Sequence, residues 1–195
     1  LEYAIKDNES FDPILVSTGQ HKEMLKQVFD FFDVKPAHDL GLMFANQTLA
    51  GITSLLFTNL QQMIDQIVPD LIVVQGDTQS AMVGGLVGFY NRVKVAHIEA
   101  GLRTYNKFSP FPEEVNRQTI GLVADYNFCP TERAADNLRR ENKEGVFVVG
   151  NTVIDALLLC KQKVEEQVDA YLNKFDYIKI SNRSQGKCNF KFQNL

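Results

Sequence analysis

The spacing of apolar residues along this chain switches between two periods. From His21 to Phe32, Met24, Leu25, Val28, Phe29 and Phe32 recur at helical spacing. The same period runs from Asn46 to Ile67 through Leu49, Ile52, Leu56, Leu60, Met63, Ile64 and Ile67, and Pro69 closes it. Between such stretches lie short, nearly continuous apolar runs. Pro13–Val16 ends at the turn signal Thr18-Gly19, and Leu71–Val74 is apolar on both faces, as expected of a parallel strand covered on two sides. Further on, the pattern predicts a buried helix over Ser80–Asn91, a strand over Val93–Ile98 and a loop over Pro110–Pro112. A helix over Glu113–Val123, a strand over Tyr126–Cys129 and a helix capped by Thr131 and running to Glu141 come next. The series closes with a strand over Val146–Val149 and a helix over Val153–Tyr171. Strands that alternate with helices predict an α/β fold with a doubly wound parallel sheet. Residues 178–195 break the rhythm. They are polar, rich in Asn and Lys, and expected to be irregular.

Composition narrows the class only a little. The 195 residues carry a net charge of -4, which points to no nucleic-acid or acidic-membrane partner. No apolar run approaches the roughly 20 residues of a membrane span, and the first ten residues hold four charged side chains and no secretory signal, so a cytoplasmic location is expected. Cys129, Cys160 and Cys188 are scattered, which fits a reducing compartment. No CxxC or HxxxH pattern suggests a metal site. GxGxxG is absent, so no nicotinamide cofactor is expected. The sequence opens on Leu1 and is expected to begin inside a longer chain.

In an open parallel sheet, ligands bind beyond the carboxyl ends of the strands. Gln75-Gly76-Asp77-Thr78 follows one predicted strand, Glu99-Ala100-Gly101-Leu102-Arg103-Thr104 the next, and Gly150-Asn151-Thr152 a third. Glu113, Glu114, Asn116 and Arg117 open the helix after the proline loop. Each has a plainer reading. Asp77 could cap the following helix. Glu99 could be held in a structural ion pair by Arg103 or Arg117. Glu113 and Glu114 complement a helix dipole. His97, inside a strand, reads as a satisfied core histidine, whereas His21 follows a strand-end turn.

Taken together, VVQGDTQS (73–80), HIEAGLRT (97–104), SPFPEEVNRQ (109–118) and VGNTVIDAL (149–157), with STGQHKEML (17–25) before them, resemble the signature segments of the non-hydrolysing UDP-N-acetylglucosamine 2-epimerases over about residues 11–165. Glu99-Ala100-Gly101 stands where the hydrolysing relatives resemble a Gly-Gly-Glu motif. The resemblance implies one Rossmann-like half of a glycosyltransferase-B-like enzyme that interconverts UDP-GlcNAc and UDP-ManNAc for bacterial surface polysaccharides. It also implies no cofactor, a UDP-sugar substrate and a homodimer of the full-length protein. It implies catalytic roles for Asp77, Glu99 and Glu113, substrate contacts for Gln20, His21, Arg103, Arg117 and Asn151, and a regulatory role for Gln20 and Gln47. The family's opening strand with its Gly-Thr-Arg-Pro-Glu loop, and its second domain, have no counterpart here. Residues 1–177 are therefore expected to be a partial N-terminal domain, followed by the unmatched tail 178–195. An inactive remnant, a partner-dependent subunit, a hydrolysing epimerase and a glycosyltransferase of the same fold are the alternatives.

Overall fold

The computed structural model describes Ile5 and residues 8–19, 22–44 and 46–166. The chain divides into two compact units, Leu1–Asn151 and Thr152–Leu195. In the first, β1 (Val16–Ser17), α1 (Lys22–Phe32), β2 (His38–Asp39), α2 (Leu49–Ile67), β3 (Leu71–Gln75), α3 (Gln79–Tyr90), β4 (Lys94–Ile98), α4 (Glu113–Val123), β5 (Tyr126–Cys129), α5 (Glu132–Arg140) and β6 (Val146–Val148) follow one another. In the second, α6 covers Thr152–Glu166. The predicted α/β alternation holds, and every strand pairing is parallel. The tail 178–195 and the end of the last predicted helix lie outside the described residues.

The strands form two sheets, β1-β2 and β3-β4-β5-β6. The first is short. Its strand begins at Val16, not Pro13, and its partner His38–Asp39 was not foreseen, because two residues carry no readable period. Backbone bonds outside the strand bounds extend the pair, from Ala37 N to Leu15 O (2.8 Å) and from Leu42 N to Thr18 O (3.0 Å). The Thr18 and Ser80 hydroxyls, 2.8 Å apart, tie the carboxyl end of β1 to the first turn of α3.

α2 begins three residues later than its apolar period. The Thr48 hydroxyl caps it by accepting from Gly51 N, and Val68 closes it in the left-handed region. Its Ile52 and Leu56 pack on Val83 and Val87 of α3. α3 lies close on the sheet because Gly88 has no side chain. A Cβ there would stand 2.8 Å from a Val95 methyl. Val74, Ala81, Val95 and Ile120 join β3, α3, β4 and α4 into one cluster, and Ala100, Cys129, Ala134, Ala135 and Leu138 seat α5 beside them. Gly101 makes the second tight approach. It has φ +86°, and a Cβ would stand 2.2 Å from the Ala134 carbonyl oxygen.

The strand residues in these clusters, Val74, Val95 and Cys129, lie on one face of the larger sheet. The pairing register puts Leu71, Val73, Tyr126 and Phe147 on the other, where they are 40–48% exposed. The two-sided apolar pattern of Leu71–Val74 therefore predicted more cover than the sheet has within Leu1–Asn151. Among the described residues, no helix is long and apolar enough to cross a membrane.

Candidate active site

β3 and β4 run side by side and end at the same level, with Gln75 opposite Ile98. Beyond them the backbone turns sharply. Gly76 has φ +70° and Glu99 φ +67°. A non-glycine residue in this region is uncommon and is held by its surroundings. Gly76 N donates to Ile98 O (3.0 Å), Ala100 N to Phe128 O (3.0 Å), and His97 Nε2 donates to Gly76 O (2.8 Å). His97 is thus the satisfied core histidine, kept neutral by burial, which lowers its pKa to about 4. The bond to Gly76 O fastens the loop that carries Asp77.

Asp77 is not the helix cap. Thr78 caps α3, its hydroxyl accepting from Ala81 N at 3.3 Å. The Asp77 carboxylate instead meets Arg117 of α4, Oδ2 to Nη2 at 3.1 Å, and the Asp77 carbonyl accepts from Asn116 Nδ2 at 2.9 Å. Burial raises the Asp77 pKa. Arg117 opposes that effect, and the negative charges of Glu113 and Glu114 add to it.

Neither arginine holds Glu99. Arg117 lies between Asp77 and Glu114, its Nε 3.4 Å from Glu114 Oε2. The Arg103 side chain is fully shielded and grips Glu141, the C-cap of α5, with two bonds of 2.9 Å, while its Nη1 donates to Leu102 O. Glu99, half-buried, forms no hydrogen bond or ion pair among the described residues, and Glu99 Oε2 lies 3.9 Å from where a Gly76 Cβ would stand. Glu113, on the first turn of α4, also leaves its carboxylate unpaired among the described residues. The structure therefore gathers Asp77, Glu99, Glu113 and Arg117 around the ends of β3 and β4. It directs Arg103 away from them, into the groove between α4 and α5.

The remaining candidates are dispersed. Gln47 bonds its own loop, accepting from Phe44 N and donating to Leu42 O. Asn151 is exposed on the loop after β6. Gln20 and His21 lie outside the described residues. Sequence reasoning gave Glu114 only a helix-dipole role, yet it is fully buried. Its carboxylate accepts from Thr104 N (3.0 Å), Tyr105 N (2.9 Å) and Gln118 Nε2 (2.7 Å). The available signal was its spacing of three and four from Arg117 and Gln118 on one helix. Two surface hollows, of about 460 and 470 Å³, lie along the outer side of α4 and between the Thr104–Tyr105 loop and α5. Neither is lined by the three acids, which stand on an open rim.

A family model described as UDP-N-acetylglucosamine 2-epimerase matches residues 3–181. The chain belongs to that family. It is 47% identical over 150 residues to UDP-N-acetylglucosamine 2-epimerase of Campylobacter jejuni, covering 76% of this chain and 39% of that protein. It is 49% identical over 155 residues to the enzyme of that name from Bacillus subtilis (strain 168), covering 78% and 41%. Its fold is similar to the crystal structure of UDP-GlcNAc 2-epimerase from Neisseria meningitidis bound to UDP-GlcNAc. That match has a TM-score of 0.78 and 39% identity, and covers 83% of this chain and 44% of that one. The Methanocaldococcus jannaschii structure in complex with UDP-GlcNAc and UDP matches with a TM-score of 0.78 at 34% identity, covering 88% and 48%. The chain thus spans about two-fifths of the length of the curated relatives it matches. The family match reaches beyond residues 11–165, where the recognisable strings lie.

Proposed function

We propose that this chain supplies the acid-bearing part of a non-hydrolysing epimerase that interconverts UDP-GlcNAc and UDP-ManNAc. The supporting observation is the gathering of Asp77, Glu99 and Glu113 at the ends of two adjacent parallel strands, with Glu99 unpaired among the described residues. A buried structural carboxylate in this chain looks different. Glu114 has three hydrogen-bond donors besides an arginine.

Epimerisation at C2 must remove a hydrogen that is not acidic. A carboxylate takes the C2 proton while the C1–oxygen bond to UDP breaks. The C–H electron pair becomes the C1–C2 double bond, and UDP leaves with the electrons of the broken bond. Re-addition reverses these steps, with the proton delivered to the opposite face. One group must accept a proton and another donate it, and the rim offers carboxylates in unlike environments. Asp77 is held toward its protonated form by burial, while Glu99 is unpaired among the described residues. Such divergence is what acid–base work by several carboxylates requires. Arg117 in this scheme orients Asp77, and Gln20, His21 and Asn151 remain the proposed substrate contacts. The activity needs no cofactor, belongs in the bacterial cytoplasm in the synthesis of surface polysaccharide, and runs in a homodimer of the longer protein.

The test is a chimera in which residues 11–165 replace the matching segment of the Bacillus subtilis relative. It is expected to form UDP-ManNAc from UDP-GlcNAc, read by NMR. Glu99→Gln or Glu113→Gln is expected to lower turnover by about 10²–10⁴-fold, the usual weight of a general acid or base. Near-normal turnover in both variants would overturn the assignment. The unmodified chain alone is expected to form no UDP-ManNAc.

A further inference from the structure

Two arginines in this fold pair with acids, and the geometries differ. Arg103 meets Glu141 with two parallel bonds of 2.9 Å. Arg117 approaches Asp77 with Nη2, at 3.1 Å, and turns its Nε toward Glu114 and the Glu113 carbonyl, both at 3.4 Å. A forked arginine holds a carboxylate firmly in its ionised form. A group that must both accept and release a proton is hindered by such a grip.

We infer that Glu114 is a positioning residue: by holding Arg117 on the Nε side it keeps the guanidinium's grip on Asp77 one-sided and leaves Asp77 able to exchange a proton. This rests on the reading of Asp77 as an acid–base group. Glu114 is built for the task. It is fully buried, and the backbone N–H groups of Thr104 and Tyr105 and the amide of Gln118 keep it in place from three directions. Burial alone would raise its pKa. The donors from Gln118, Thr104 and Tyr105 outweigh that effect, and the net shift is downward, so Glu114 stays ionised. Asn116, 2% exposed, pins the Asp77 carbonyl from the same helix. The Asp77 backbone therefore stays in place if the guanidinium turns, and the angle of the guanidinium bears on how firmly the carboxylate is held. The other charged groups at Asp77 are Glu113 on the first turn of α4 and Glu99 beside Gly76. The neutral His97 lies beneath the loop.

The test is a carboxyl-carbon NMR titration of Asp77 in this chain, which requires no turnover. In Glu114→Gln, Arg117 loses the charge that draws its Nε away from Asp77 and keeps there only the 3.4 Å contact to the Glu113 carbonyl, so it can turn further toward Asp77. The Asp77 midpoint is expected to fall by about one pH unit, a tenfold loss of proton affinity. Glu114→Asp, which restores the charge, is expected to recover much of the shift. Removing a nearby negative charge also lowers the midpoint directly, so the same change is made on an Arg117→Gln background. There it is expected to move Asp77 little. An equal fall without Arg117, or no fall with it, would overturn the inference. Should Glu114→Gln not fold, the unmodified chain still decides. As Asp77 takes up its proton, the Arg117 Nη nitrogen signals are expected to shift while Nε stays. Joint movement of both would overturn the one-sided grip. The chimera can fail while this coupling is found, and can succeed while it is absent, so the two readings fail separately.

Discussion

The groove between α4 and α5 and the rim above β3 and β4 are built from adjoining stretches of sequence, and each holds a shielded arginine facing carboxylates. In the groove the arrangement is closed. Arg103 and Glu141 satisfy each other, and the side chain of Arg103 is fully shielded. On the rim it is open. Arg117 is divided between Asp77 and Glu114, while Glu99 and Glu113 leave their carboxylates unpaired among the described residues. Closure serves stability and openness leaves groups available for chemistry. Substitutions in the groove should therefore unfold the chain, and substitutions of the unpaired acids should leave its stability nearly unchanged.

The largest effect is expected from Gly101→Ala. The new methyl would meet the Ala134 carbonyl at 2.2 Å with φ at +86°, and the obstacle is backbone, which has no rotamer to yield. Loss of more than about 4 kcal/mol, or of a cooperative thermal transition altogether, is expected. Survival with a near-normal melting curve would show that α5 is not firmly seated in the groove.

Glu141→Gln leaves the shielded Arg103 charge without its carboxylate. Breaking one side of a buried ion pair destabilises by about 3–5 kcal/mol. Glu141 is 27% exposed, so the lower end, about 3 kcal/mol, is expected in urea unfolding. The matched test on the rim is Glu113→Gln, expected to change stability by less than about 0.5 kcal/mol. Comparable losses for the two would erase the contrast between groove and rim.

His97 gives the contrast a pH dependence. The unfolded chain takes a proton at His97 below about pH 6.5, whereas the folded chain resists until about pH 4. Between those values the unfolded state binds more protons. The contribution of His97 is therefore complete above about pH 6.5 and is lost as pH falls toward 4. The difference is on the order of 3 kcal/mol. The check is the stability of the chain against that of His97→Gln from pH 7.5 to 4. The gap between the curves should narrow on acidification, and a constant gap would mean that His97 binds its proton equally well in the folded and unfolded chain.

Arg139 supplies the exposed end of the scale. It is half exposed and paired with Glu132 and Asp136 on the surface of α5, so Arg139→Ala is expected to leave the urea unfolding midpoint almost unchanged. A loss near that of Glu141→Gln would show that burial does not grade these pairs.

Sequence alone determined the alternation of strand and helix, the Thr131 cap, and the convergence of Asp77, Glu99 and Glu113, because parallel strands deliver their following residues to one edge of the sheet. Periodicity and strand-end position are local properties, carried by the order of side chains. The tertiary structure alone decided the rest. It gave the α3 cap to Thr78 and freed Asp77. It sent Arg103 to Glu141, left Glu99 without either arginine, and buried Glu114 beneath the Thr104–Tyr105 loop. It left Leu71 and Val73 open on a face that their apolar pattern suggested was covered, and it paired His38–Asp39 with β1 although two residues carry no period. For the charged groups the deciding partner is distant in sequence or lies in another segment, as Glu141 lies 38 residues from Arg103. A charge at a strand end announces that it needs a partner, but which partner it finds depends on how helices seat against the sheet, and that is settled by packing.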